Sequence, residues 1–451
     1  MTGVGIISQL SNLVSLINYF VPLGIPNGLS KFVAEENISE TEKLKKLFVS
    51  SLTLVLYPTI TFAVLIFIFS GSVSYFLFES QDYSDYIRII SAFIPFIVLN
   101  SLLEGFLRGL KIIKLYTKII IISNLLNILI LIPLVYFLGI KGGLYGVLSS
   151  YVLYTIINSY YLKKNKILEK INFKFTFDKL LFKKILSVSF AFLISGAFFQ
   201  FTLLMLRKII ISEFGIFYNG IFQSVIGISL NYFGFIFLSL STYSFPTISK
   251  LNENSEVIDE LNINVKYIIF LMVPLILFVF VFRYFIISIL FSKDFLLSEK
   301  LFGYQFMGDY FKALAWAIGI WLVPKMRLKS FLILEIVLNL NLIFISWVLI
   351  KIYGTNLELI SISYLIAYIV HFILNLMVTK NLIGFKISKM NSRLLSLSFV
   401  FLIPVILISH YNQIAGYVLI MPVILVWLKL AIEKNEIVEL KKLVYSKFGK
   451  A

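Results

Sequence analysis

Residues 119–139 read IIIISNLLNILILIPLVYFLG, 21 positions without one charge. As an α-helix at 1.5 Å per residue this run is about 30 Å long, the thickness of a bilayer's hydrocarbon core. A lone segment in hydrocarbon can satisfy its backbone N–H and C=O groups only by coiling into a helix. Twelve further apolar runs bounded by charge clusters read the same way: 5–29, 48–70, 89–107, 144–162, 185–211, 215–241, 267–289, 301–323, 330–350, 357–379, 394–409 and 416–431. The expected fold class is therefore all-α, a polytopic membrane protein with about thirteen transmembrane helices.

Composition supports this reading and removes others. Of 451 residues 59% are apolar and 14% charged, against roughly 45–50% and about 25% in soluble domains. Such a chain has too little polar surface to cover itself in water. The sequence has no cysteine, which excludes disulfides and thiolate chemistry, and its two histidines, His371 and His410, cannot build a multi-histidine metal site. No metal or cofactor is expected. Nor is an enzyme: the loops are short, and the acid-rich outer segment 71–88 is too small to hold a soluble catalytic domain. The absence of a Walker A lysine pattern argues against ATP as the direct energy source.

The 40 Lys and Arg exceed the 23 Asp and Glu by 17, an excess that in a soluble protein would suggest nucleic acid. Here the basic residues segregate by loop. Alternate connections and the C-terminal tail hold 30 of them and the remaining connections only 7. Cytoplasmic loops are the ones enriched in Lys and Arg, so the rich side, with the C-terminus, is assigned to the cytoplasm, and nucleic acid is not an expected partner. Thirteen spans then leave the N-terminus outside, and a missing first helix is expected.

A shift of about 215 residues brings similar features into register. Gly5-Ile6-Ile7-Ser8-Gln9 resembles Gly220-Ile221-Phe222-Gln223, and Pro26 before Ser30-Lys31 resembles Pro246 before Ser249-Lys250. The basic turn Arg108–Lys118 resembles Lys325–Lys329, each leading into a helix with two asparagines (Asn124 and Asn127; Asn339 and Asn341) and then a short turn at Gly139 or Gly354. A parallel repeat of this kind predicts two bundles around a central cavity, as in a rocking transporter. The expected organisation is an N-terminal lobe of five helices (1–165), a basic cytoplasmic linker (166–184), a C-terminal lobe of six helices (185–380), and two extra helices with a basic tail (381–451).

Polar residues inside the apolar runs are the candidate site, because a charge in hydrocarbon normally faces a cavity or a partner. Gln305, Asp309 and Lys312 follow at steps of four and three, one polar face on an apolar helix. Lys312 lies about 17 Å beyond Leu301 along the axis, too deep to reach the interface by stretching. Asp309 and Lys312 either neutralise each other or line a cavity. Ser189, Gly196, Gln200 and Arg207 form a second stripe ending in a cation, with Lys208 next; the Arg-Lys pair is either an interfacial anchor or part of a site. Arg283 and Glu335 face a cavity or serve as struts. Glu104 and Arg108 have the spacing of a local ion pair, and His371 and the paired asparagines that of bundle-interior hydrogen-bonders. With Arg207, Lys208, Arg283 and Lys312 against Asp309 and Glu335, the deep charge is net cationic. That suits an anionic phosphate or diphosphate substrate.

Gly3-Val4-Gly5 through Leu23-Gly24-Ile25-Pro26-Asn27-Gly28-Leu29-Ser30-Lys31-Phe32-Val33-Ala34 resembles the second helix of Wzx-type polysaccharide flippases, which share a superfamily with the multidrug and toxin extrusion exporters. Leu206-Arg207-Lys208, Phe214-Gly215-Ile216, Gly220–Gln223 and Gln305–Lys312, with Lys329 and Glu335, are similar to the O-antigen and lipid III translocase branch. Family members open with one more helix, fourteen in all. The resemblance implies a flippase of the plasma membrane that moves a polyprenyl-diphosphate-linked oligosaccharide from the inner to the outer leaflet by alternating access, without breaking a covalent bond. It implies as partners that lipid-linked substrate, membrane lipid, a coupling ion (proton or sodium) and polysaccharide-assembly proteins. The alternative in the same fold is a cation-coupled drug exporter, in which acidic deep residues should predominate. The orientation is checked by single cysteines in this cysteine-free chain. Ser84→Cys should react with an impermeant thiol reagent in intact cells and Lys170→Cys only after permeabilisation; labelling of the second from outside would reverse the assignment.

Overall fold

A computed structural model describes residues 1–35, 41–164 and 179–432. Residues 36–40, most of the expected linker (165–178) and the basic tail (433–451) lie outside the described residues. In chain order the helices are α1 (Thr2–Phe20), α2 (Ile25–Glu35), α3 (Thr41–Ile68), α4 (Ser70–Phe78), α5 (Ser84–Gly109), α6 (Ile113–Lys164), α7 (Lys179–Phe214) and α8 (Ile216–Ile228). After a π-helical turn, Ser229–Phe233, come α9 (Gly234–Lys250), α10 (Asn254–Val281), α11 (Arg283–Leu290), a 3-10 turn at Lys293–Ser298, α12 (Glu299–Gly319), α13 (Leu328–Tyr353), α14 (Glu358–Ile383), α15 (Lys389–Tyr411) and α16 (Gln413–Ala431). The protein is all-helical, and the thirteen apolar runs fall on these helices and their breaks.

Among the described residues nine helices are long and apolar enough to cross a membrane, or ten if the bent pair α1–α2 is one span. α12 stands outside the nine because Gln305, Asp309 and Lys312 dilute its apolarity. Run 5–29 is bent by 48° between α1 and α2. Pro22 cannot donate to the ladder, and Leu23 and Gly24 turn the chain with φ of +53° and +69°. Gly139 and Gly354 are both at positive φ, +56° and +83°, where a Cβ would be strained. The chain turns at each, as the repeat reading expects.

Packing divides the chain into two compact units, Met1–Gln223 and Ser224–Ala451. In the first, α2 lies against α5 and α7, and α1 against α5, α6 and α7, so α7 is part of this unit. Leu10, Ile25, Ile90 and Phe106 are among its fully buried core residues. In the second, α12 packs along α14 and α10, and α10 along α15 and α16, with Met272, Phe306, Tyr310 and Ala367 fully buried. Through residues 120–138 α6 keeps its apolar side chains outward: Leu129 is 68%, Tyr136 82% and Phe137 78% exposed. On a soluble monomer so large an apolar surface would be a liability; on this chain it is lipid-facing.

The two stretches that resemble each other, around Gly5 and Gly220, touch. A Cβ on Gly5 would lie 2.3 Å from the Ile216 carbonyl oxygen, and one on Gly220 3.3 Å from the Gly5 nitrogen. Glycine lets α1 and α8 meet backbone to backbone, and Asn219 Nδ2 fastens the crossing by donating to the Gly5 carbonyl at 2.7 Å. Gly5→Ala should therefore lower stability by about 1–3 kcal/mol, read as reduced membrane abundance and an earlier thermal transition in detergent. Gly234→Ala, where nothing lies within 4 Å, should be neutral or stabilising.

Candidate functional site

Arg207 sits in the first unit, three turns from the middle of α7, and is 3% exposed. Its Nη1 donates to Ser8 Oγ at 2.8 Å and to Asn219 Oδ1 at 3.1 Å, its Nη2 donates to Gln223 Oε1, and the guanidinium lies 5.5 Å from the Phe222 ring. These acceptors are neutral, and Nε has no hydrogen-bond partner. The α1–α8 crossing creates this nest, since Ser8 comes from one helix and Asn219 and Gln223 from the other. Lys208 turns elsewhere and places Nζ 4.1 Å over the Phe76 ring. Gln200 is half-buried, and Gly196 is covered by the Tyr19 ring, which a Cβ there would approach to 2.5 Å.

In the second unit Asp309 is fully buried, and its Oδ1 accepts from Ser229 Oγ and Tyr364 Oη, each at 2.8 Å. Lys312 Nζ donates to the same Tyr364 hydroxyl at 3.4 Å and lies 5.6 Å and 6.0 Å from the Tyr368 and Phe237 rings. Of the two readings of Asp309 and Lys312, direct neutralisation is replaced by a third arrangement in which one hydroxyl stands between the charges. Gly308 makes it possible: a Cβ there would come within 2.5 Å of the Tyr364 ring. Gln305 Nε2 reaches Ser229 Oγ at 3.5 Å, while Gln305 Oε1 and Asp309 Oδ2 are buried without a partner. Glu335, half-buried on α13, is a second electrostatic neighbour of Lys312. Lys312 therefore lies among two carboxylates, an aromatic wall and a hydroxyl.

Arg283 stands apart from this cluster. It is 1% exposed, pairs with Glu299 Oε2 at 3.3 Å, and donates to the Phe280 carbonyl, Ser409 Oγ and the Ser409 carbonyl at 3.1, 3.3 and 3.2 Å. Its guanidinium lies between the Phe280 and Tyr284 rings. Arg108 donates to Asn27 Oδ1 at 3.3 Å, and Asn375 Nδ2 meets His371 Nε2 at 3.1 Å. Asn124 and Asn127 accept from Tyr154 Oη and Ser149 Oγ, joining the two halves of α6. Ser229, Tyr364, Tyr368, Asn219 and Glu299 were not among the sequence candidates. A tyrosine or serine in a uniformly apolar run carries no signal of which helix it will face.

A family model described as polysaccharide biosynthesis protein matches residues 1–252, more than half of the sequence. The chain belongs to this family. Within it and beyond, the chain is similar to proteins named lipid III flippase from Escherichia coli (strain K12) and Shigella flexneri, each 25% identical over 371 residues, covering 82% of this chain and 88% of the relative. Its fold is shared with a multidrug resistance MATE family transporter of the MOP superfamily solved in an inward-facing conformation, at a TM-score of 0.71 and 17% identity over 84% of this chain and 94% of that one. Fold likeness at that identity does not transfer an activity. For the Asp309–Tyr364–Lys312 cluster, Tyr364→Phe should lower the thermal transition by the loss of a hydrogen bond to a charged group, about 1.5–3 kcal/mol. The loss should be smaller in an Asp309→Asn background, with a coupling of about 0.5–3 kcal/mol in the double-mutant cycle.

Proposed function

We propose that this protein is a flippase that carries a polyprenyl-diphosphate-linked oligosaccharide across the plasma membrane, from the inner to the outer leaflet, by alternating access. The observation that carries the reading is the Arg207 nest, a buried guanidinium held only by neutral oxygens of Ser8, Asn219 and Gln223. An uncompensated cation in hydrocarbon is costly. Phosphate oxygens form charge-assisted, bidentate bonds to guanidinium that are roughly twice as strong as neutral ones, so a diphosphate can displace those acceptors. Lys208, the next residue, adds a point charge, and Gln200 lies on the same helix stripe.

The Asp309–Tyr364–Lys312 cluster, with Gln305 and Glu335, has a different charge balance. A half-buried cation beside two carboxylates is an arrangement whose protonation can respond to a coupling ion, and we assign it that role together with hydrogen bonding to the sugars. Arg283, engaged by Glu299 and Ser409, is a strut in this reading. The cytoplasmic side carries the C-terminus and the basic loops. No bond is made or broken in the cycle, so no catalytic residue is required.

A multidrug resistance MATE family transporter shares the fold, and an assay separates drug export from flipping. In a strain lacking its own flippase, this protein should restore delivery of lipid-linked oligosaccharide to the outer leaflet and should not increase efflux of cationic dyes. Normalised to protein amount, Arg207→Lys should lose part of the delivery and Arg207→Ala most of it. The charge-swapped pair Asp309→Lys with Lys312→Asp should reach the membrane yet fail to deliver. Full delivery by the Arg207→Ala, Lys208→Ala double variant would remove both residues from the site.

A further inference from the structure

The chain has four tryptophans. Trp321 and Trp427, both buried, spend their indole N–H groups on Thr379 Oγ1 at 3.2 Å and on the Phe270 carbonyl at 3.3 Å. Trp347 is 52% exposed on α13. Trp316 differs from all three. It is half-buried inside the apolar run 301–323, and its N–H has no hydrogen-bond partner among the described residues. An indole enclosed in this way ordinarily finds an acceptor.

Its surroundings in the second unit combine rings with unspent polar groups. The Trp316 ring stacks on the half-buried Phe237 ring of α9, with centroids 5.4 Å apart and planes 29° from parallel. Lys312 lies one turn earlier on the same face of α12, and its Nζ stands 6.0 Å from that Phe237 ring and 5.6 Å from the Tyr368 ring. Of the three hydrogens an ammonium can donate, Lys312 spends one, on the Tyr364 hydroxyl. The carboxylate of Glu335, an electrostatic neighbour of Lys312, makes no hydrogen bond or ion pair among the described residues. An indole donor, an ammonium donor and a carboxylate acceptor thus flank one aromatic pair.

At this depth polar groups left unpaired are costly, so the occupant must be polar as well as able to lie on a ring. Water would satisfy the donors and gain nothing from the ring faces. A hydrocarbon chain would use the rings and leave the polar groups unpaired. An organic cation would use the rings too, but Lys312 repels it. A sugar ring answers every feature. Its slightly positive C–H face suits the negative face of an aromatic ring, and its edge hydroxyls donate and accept, which matches the indole, the ammonium and the carboxylate together.

We infer that Trp316 and Phe237 form a stacking platform for a pyranose ring, with Lys312 and Glu335 bonding to its hydroxyls. The inference rests on the flippase reading and adds to it the place where the oligosaccharide is held, while the Arg207 nest takes the diphosphate.

The test uses the full chain in lipid nanodiscs with its four tryptophans replaced by 5-fluorotryptophan, so that each gives one fluorine resonance and Trp316→Phe assigns that of Trp316. Two probes are added, lipid-linked oligosaccharide extracted from the cells in which the protein occurs and the bare polyprenyl diphosphate carrier. The glycan-bearing lipid should shift the Trp316 resonance and the bare carrier should not, with Trp347 unmoved by either. Trp316→Ala should weaken binding of the glycan-bearing lipid about tenfold. Trp316→Phe, which keeps a ring and loses the N–H, should weaken it about threefold. Affinity for the bare carrier should stay at the wild-type value in both variants, which shows that they are folded; if Trp316→Ala does not reach the membrane, the wild-type spectra and Trp316→Phe decide. The platform is overturned, and the flippase reading left standing, if the glycan-bearing lipid binds without moving the Trp316 resonance, if the bare carrier moves it equally, or if the variants bind the glycan-bearing lipid as the wild type does. Binding of neither lipid overturns the flippase reading and the platform with it.

Discussion

A charge carried into hydrocarbon has no water to fall back on, and each deep charge of this protein must find its partner on another helix. A carboxylate or ammonium at the centre of a spanning helix is unfavourable by roughly 2.5–3.5 kcal/mol on the insertion scale. That penalty dictates which helix faces pack together. Arg283 is compensated by Glu299 and by carbonyls. Asp309 and Lys312 are compensated through one tyrosine hydroxyl. Arg207 is solvated by neutral oxygens alone. Three solutions to one problem leave three different degrees of compensation, the least of them at Arg207.

Close approach of backbones makes these solutions possible. In a membrane, helices gain little by burying apolar side chains from one another, since lipid is equally apolar. Contact is instead set by glycine and by polar pairs. Gly5 and Gly220 let α1 and α8 touch, and that crossing brings Ser8, Asn219 and Gln223 to one guanidinium. Gly308 lets the Tyr364 ring settle over α12, which carries its hydroxyl to Asp309. α1, which packs closely on α8 at Gly5, also lines an apolar cavity of about 520 Å³ with α3 and α7.

In the first unit the buried cation and the apolar cavity occupy different parts of α7. The cationic residues Arg207 and Lys208 lie later on α7 than Ala197 and Phe201 of the cavity, about 9–15 Å along the axis for Arg207. The repeat seen in the sequence acquires physical content here as well, because the two similar stretches are the ones that meet at the Gly5–Gly220 crossing.

Helical structure, membrane insertion and the charged faces follow from local rules, and the amino-acid sequence by itself determined them. Runs near twenty apolar residues have one backbone solution in hydrocarbon; Gln305, Asp309 and Lys312 share a face because 3.6 residues make a turn; Gly139 and Gly354 turn the chain because only glycine takes their φ without strain. The tertiary structure alone decided which residues answer those charges. Tyr364, Ser229, Asn219 and Glu299 are polar atoms in apolar or mixed segments, and a helix that is apolar on every face gives no period from which its contact side can be read. The placement of α7 in the first unit, the hydroxyl between Asp309 and Lys312 and the apolar cavity all depend on contacts between residues distant in sequence, which local spacing does not encode.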